Sequence, residues 1–83
     1  MIIYKLKTFM STIDLHGKSH YQVSEILDKH IWESMKSGKS EIKIVTGNSD
    51  RMKQFVITTI KEYQLDYQIG DVFNKGYILV FLR

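Results

Sequence analysis

Apolar and polar residues recur with two different periods along this chain, and the changes of period mark out six short elements. Thr12 to Leu15 alternates, with Ile13 and Leu15 on one face, and predicts a short strand. From Ser19 the period lengthens: Val23, Ile26, Leu27, His30, Ile31 and Met35 follow at helical spacing, predicting a helix over Ser19 to Lys36. Ser19-His20-Tyr21-Gln22 has capping-box spacing at its start, and Gly38 supplies a stop. Glu41 to Thr46 alternates again as a strand, with Ile42 and Ile44 sharing a face. Asn48, Ser49 and Asp50 can each cap the second helix. Met52, Phe55, Val56, Thr59, Ile60 and Tyr63 mark its buried stripe. Leu65 to Ile69 alternates as a third strand, Asn74-Lys75-Gly76 is turn chemistry, and Tyr77 to Leu82 completes a terminal hairpin.

This order, βαβαββ, predicts a two-layer α/β sandwich: a four-stranded mixed sheet with two helices on one face. Short connections make the first two strands a parallel βαβ unit. The alternating third strand argues for helices on one side only. The last strand is apolar on both sides, with Ile78, Val80 and Leu82 on one and Tyr77, Leu79 and Phe81 on the other. The second set calls for a cover. The candidates are the N-terminal segment (Ile2, Ile3, Tyr4, Leu6, Phe9, Met10) and a second copy of the chain, docked as a homodimer through the strand-four face. The expected division is therefore an N-terminal extension, 1–11, packed on a domain, 12–83.

The 83-residue length suits one small domain. There is no cysteine, which removes disulfides and thiolate metal sites from consideration. Lysines interrupt the apolar start, so it does not read as a signal peptide, and no apolar run is long enough to span a bilayer. A cytoplasmic protein without membrane partners is the expectation. The net charge of +3 leans toward anionic partners, and a solvated lysine-bearing surface explains so small an excess equally well.

Candidate chemistry gathers at the two strand-to-helix turns, where open α/β sheets bind ligands. Asp14 and His16 are two apart, on one face of an extended chain, and a carboxylate beside an imidazole fixes its tautomer for acid/base work. Gly17 permits a sharp turn and the approach of a ligand. Turn capping is the bland reading of the same residues. Thr46-Gly47-Asn48-Ser49 opens the second helix, whose N-terminal amides form an anion site that Arg51 and Lys53 would reinforce and Asp50 would oppose. Plain helix capping explains this run without a ligand. Lys18, Lys39, Lys43 and Lys75 fall near loops and can gather into a basic patch. Tyr21, Trp32 and Tyr77 are aromatic candidates for base stacking, with packing as the alternative. His30 reads as a core or boundary histidine, and His16 and His20 straddle a loop and a helix start, unlike a zinc-binding helix pair.

Ile13-Asp14-Leu15-His16-Gly17 and Val45-Thr46-Gly47 together resemble the two motifs of the small MutS-related (Smr) domain, a leucine-aspartate-leucine-histidine-glycine segment and a histidine- or threonine-glycine-x-glycine segment. The resemblance spans roughly Thr12 to Leu82. It implies a nucleic-acid-binding domain, in several members an endonuclease that nicks DNA or cleaves RNA. On that basis Asp14 and His16 are the acid/base pair. Phosphate would be held by Gly47 and its flanking amides, with Gly17, Lys18, Thr46, Asn48, Ser49, Arg51, Lys53 and Lys75 around it. Two departures stand out: Ser49 replaces the second glycine of the later motif, and the glycine-rich segment before the last strand is reduced to Asn74-Lys75-Gly76-Tyr77. Both add side chains where a sugar-phosphate would approach backbone. No cofactor is implied, and a divalent metal stays open, because one carboxylate is a thin ligand set for magnesium. The alternative is a non-catalytic protein-interaction or homodimerisation module that retains the fold.

Overall fold

The computed structural model describes residues 10–82. The elements follow the expected order: β1 (Met10–Asp14), α1 (His20–Lys36), β2 (Glu41–Val45), α2 (Asp50–Glu62), β3 (Asp66–Ile69) and β4 (Tyr77–Phe81). They form a two-layer α/β fold whose single sheet has the strand order β1-β2-β4-β3. β1 and β2 are parallel, whereas β4 runs antiparallel to both β2 and β3. β1 starts two residues earlier than the apolar alternation indicates, because Met10 and Ser11 pair with Glu41 and Ile42. The N-terminal cover proposed for the sheet falls, apart from Met10, outside the described residues. The outer residues Tyr77, Leu79 and Phe81 are half-buried, and the Lys43 ammonium lies 4.6 Å from the centre of the Tyr77 ring, a cation–π contact on that face.

The two central strands contribute Ile42, Ile44, Ile78 and Val80 to the core, all without solvent exposure, and Leu15 joins them just past the end of β1. From above, α1 adds Val23, Leu27 and Ile31, and α2 adds Met52, Val56, Ile57 and Ile60. The helix stripes differ slightly from expectation. Ser34 rather than Met35 is buried on α1; on α2, Ile57 is buried while Tyr63 lies at the rim, its hydroxyl donating to Asp28 Oδ1 at 2.9 Å. Ser34 is tolerated because its hydroxyl is 3.2 Å from Ser11 Oγ, which also meets His30 Nε2 at 3.0 Å. His30 is thus a boundary residue, and its burial lowers its pKa from the ordinary value by favouring the neutral ring.

Both helices start as the caps dictate. Ser19 Oγ accepts from the Gln22 amide at 3.3 Å while Gln22 Oε1 accepts from the Ser19 amide at 3.1 Å, a complete capping box. Of the three residues able to cap α2, Ser49 does so, accepting from the Met52 amide at 3.1 Å. Such caps are each worth about 0.5–2 kcal/mol.

Candidate nucleic-acid interface

Strand directions place three connections at one end of the sheet: the β1–α1 turn, the β2–α2 turn and the β3–β4 loop. The parallel register Asp14↔Val45, extended by the Leu15 amide donating to Val45 O at 2.8 Å, carries the first two turns out of the sheet side by side. The third joins them through Gly76, whose carbonyl accepts from both the Thr46 and Gly47 amides at 2.9 Å. Stacking of the His20 and Phe55 rings, with centroids 4.9 Å apart and planes 17° from parallel, pins the start of α1 to α2 just behind this edge.

Asp14 and His16 meet as their spacing predicts. Asp14 Oδ1 accepts from the His16 amide at 3.0 Å and is 3.3 Å from His16 Nδ1, and both side chains are well exposed. The amide hydrogen bond, helped by the imidazole and by Lys18, holds the Asp14 carboxyl below its ordinary pKa. With Nδ1–H directed to the carboxylate, the tautomer leaves Nε2 as the acceptor, ready to take a proton. The His16 ring lies against Gly47, whose φ of 71° is in the left-handed region.

The later turn is more constrained than its sequence indicates. Thr46 is buried, and its hydroxyl donates to Gly47 O at 3.0 Å and Gly76 O at 3.3 Å. With the Thr46 and Gly47 amides also engaged by Gly76, neither residue has an N–H to offer an anion. The Ser49 hydroxyl is taken up by the cap. The amides of Asp50 and Arg51, in the first turn of α2, are the donors that the Ser49 cap leaves over. Asn48 lies exposed beside them.

Lys18 and Lys75 belong to this edge, near enough to Asp14 and Asp71 respectively to favour their ionised forms. Arg51 and Lys53 lie on the first turn of α2, the former exposed and the latter half-buried. Lys39 and Lys43 do not join them: Lys39 lies between α1 and β2 at the opposite end of the sheet, and Lys43 covers Tyr77 on the outer face. Packing does not account for Tyr21 and Trp32, which are 78% and 62% exposed on α1.

Among the described residues no three His, Asp or Glu side chains gather as a metal-ligand set. No enclosed cavity forms among them either. At this edge the Asp14 and His16 side chains stand open to solvent. Among the described residues no helix is long and apolar enough to cross a membrane.

No protein-family profile and no curated protein matches the sequence. Among solved structures, the Smr domain of Thermus thermophilus MutS2 superposes with a TM-score of 0.80, at 17% identity, over 88% of this chain and 98% of that one. The two share a fold. The agreement takes in the βαβαββ order and the mixed sheet, and with them the three turns converging at one edge.

Sequence reasoning did not pick out two features of the β3–β4 loop at this end of the sheet. Gly76 acts through its carbonyl, which leaves no trace in residue type. Phe73, in the β3–β4 loop, is 97% exposed and follows no period.

Proposed function

We propose that this domain binds nucleic acid along the edge formed by the three turns and cleaves phosphodiester bonds there, with His16 as the base and Asp14 as the residue that orients it. The observation that carries the reading is the Asp14–His16 pair, solvent-open and backed by Gly47 where β1 and β2 end. The Smr-like fold and the match of Ile13-Asp14-Leu15-His16-Gly17 to the Smr motif support it. In this mechanism His16 Nε2 removes the proton from water or a ribose 2′-hydroxyl as that oxygen bonds to phosphorus. The P–O bond on the far side breaks, and the departing oxygen takes up a proton. Asp14, held ionised by the His16 amide, is a weak base and acts by stabilising the imidazolium. The phosphate lies over Gly47, within reach of the first amides of α2, with Lys18, Asn48, Arg51, Lys53 and Lys75 around it.

The test is binding and cleavage of labelled single-stranded RNA, double-stranded DNA and supercoiled plasmid, with and without EDTA. Wild type is compared with the Asp14→Ala/His16→Ala double variant. The reading expects binding that weakens steeply with salt, because phosphate contacts release counterions. It also expects cleavage that falls roughly 10²- to 10⁴-fold in the double variant, the usual contribution of a positioned acid/base group. Binding without cleavage would leave a recognition module. Salt-insensitive self-association with no nucleic-acid affinity would replace the proposal with a protein-interaction module working through the strand-four face.

A further inference from the structure

The loop from Gly70 to Gly76 is built to hold one conformation. Asp71 Oδ1 accepts from the Phe73 amide at 2.8 Å and the Asn74 amide at 2.7 Å, and Asp71 Oδ2 accepts from the Tyr77 hydroxyl at 3.1 Å. The Asp71 amide donates back to Asn74 O at 2.9 Å, and Asn74 Oδ1 accepts from the Gly76 amide at 2.8 Å. Gly70 closes the base, donating to Tyr77 O at 2.8 Å. What this scaffold displays is apolar: Val72 is 83% exposed and Phe73 97% exposed, the two most exposed large hydrophobic residues among those described. Neither is used in the core.

Their position gives them a purpose. Gly76, three residues beyond Phe73, receives the Thr46 and Gly47 amides and so abuts the turn against which the His16 side chain lies. Three residues span at most about 10 Å, so the Phe73 backbone lies within that distance of Gly76. Lys75 adds a cation beside it. An exposed ring on a backbone already ordered offers a stacking platform whose loop loses little entropy on binding.

We propose that Phe73 stacks on an unpaired base of a single-stranded RNA or DNA bound across the Asp14–His16 edge, making this a single-strand-preferring site. The inference rests on the nucleic-acid reading above and adds the strandedness and the residue that selects it. A base inside a duplex presents no free face to a ring approaching from the side, so the contact is available only to a single strand or a flipped nucleotide.

The experiment measures affinity of the full chain for fluorescently labelled single-stranded RNA, single-stranded DNA and their duplexes, across a salt series. It compares wild type, Phe73→Ala and Phe73→Trp, with Trp32→Ala as control. Trp32 is an exposed aromatic lying roughly 18 Å along α1 from its start. Phe73→Ala is expected to weaken single-strand binding roughly 5- to 150-fold, the range found for loss of one base–aromatic stack. Duplex binding and the salt slope should be unchanged, since no charge is lost. Phe73→Trp is expected to bind as wild type and, in a Trp32→Phe background, to show indole quenching on adding the strand. Circular dichroism confirms the fold of each variant. RNA and DNA arms that respond alike assign a base-stacking site blind to sugar, and a response in one alone assigns that polymer.

Equal affinities of wild type and Phe73→Ala for single strands, with wild-type binding intact, overturn this inference and leave the functional reading standing. Absence of any wild-type binding overturns both. Binding of anionic phosphatidylserine vesicles that Phe73→Ala abolishes, with no change in nucleic-acid affinity, would instead make the tip a membrane-insertion loop.

Discussion

The imidazole of His16 lies directly against the backbone of Gly47: a methyl group built on that glycine would stand 3.4 Å from His16 Cβ and 3.8 Å from its Cδ2. Two turns 31 positions apart in sequence thereby become one surface. The glycine is constrained by its left-handed backbone, while a methyl group there would meet the histidine only at ordinary contact distance.

Gly47→Ala is accordingly expected to cost about 1–2 kcal/mol for the left-handed conformation. It should also bring a methyl group into van der Waals contact with the His16 side chain. Thermal denaturation reads the first effect. The His16 ring resonances in a two-dimensional NMR spectrum read the second, and a shift there with the rest of the spectrum unchanged would show that Gly47 positions the imidazole.

Gly70 is under a harsher constraint. It is buried with φ at 51°, and a Cβ there would lie 2.7 Å from Lys75 Cα and closer still to the Asn74 carbonyl oxygen. Gly70→Ala combines backbone strain with overpacking and is expected to destabilise by roughly 2–4 kcal/mol. Chemical denaturation should show the midpoint falling well below that of Gly47→Ala.

The Asp71 carboxylate sets the order of the β3–β4 loop. The amides of Asn74 and Phe73 hold its pKa below the ordinary 3.8, so its contribution is present above that value and is lost as pH falls through the lower, folded one. Asp71→Ala is expected to accelerate hydrogen exchange at the Phe73 and Asn74 amides at neutral pH, leaving core amides such as those of Ile44 and Val80 protected.

His30 titrates with the same sign at higher pH, although here it is the neutral form that the fold favours. Burial lowers its pKa from 6.5, so the unfolded chain takes up the proton first as the solution is acidified. The associated stability is full above about 6.5 and declines as pH falls from there through the folded value. His30→Gln, which keeps a polar partner for Ser11, is expected to flatten the dependence of Tm on pH between 7.5 and 5.

Local patterns made much of this fold legible. Ile42 and Ile44 alternate because one face of β2 is buried, and Ser19 with Gln22 marks the start of α1 because a capping box is a four-residue device. The Asp14–His16 contact was equally readable, its partners being two residues apart. Relationships across long stretches of chain were not. The two-sided apolarity of Tyr77 to Leu82 reflects a strand flanked by β2 and β3, but the sequence cannot say which strands flank it. Thr46 and Gly47 read as phosphate ligands, and only the fold shows their amides committed to a carbonyl about 30 residues away. Ile57 and Tyr63 exchanged roles on α2 because the width of a helix's buried stripe depends on what packs against it.

The double hydrogen bond at the Gly76 carbonyl also ties site assembly to chain completion. Asp14, His16 and Gly47 all precede the end of α2 in the chain, yet without Gly76 the turn beneath the histidine would have two unanswered amides. A chain truncated before Gly76 would therefore possess every side chain of the proposed reaction without the floor that aligns them. Such a fragment would also lack Ile78 and Val80, both fully buried, so the floor of the site and the core of the sheet are lost together.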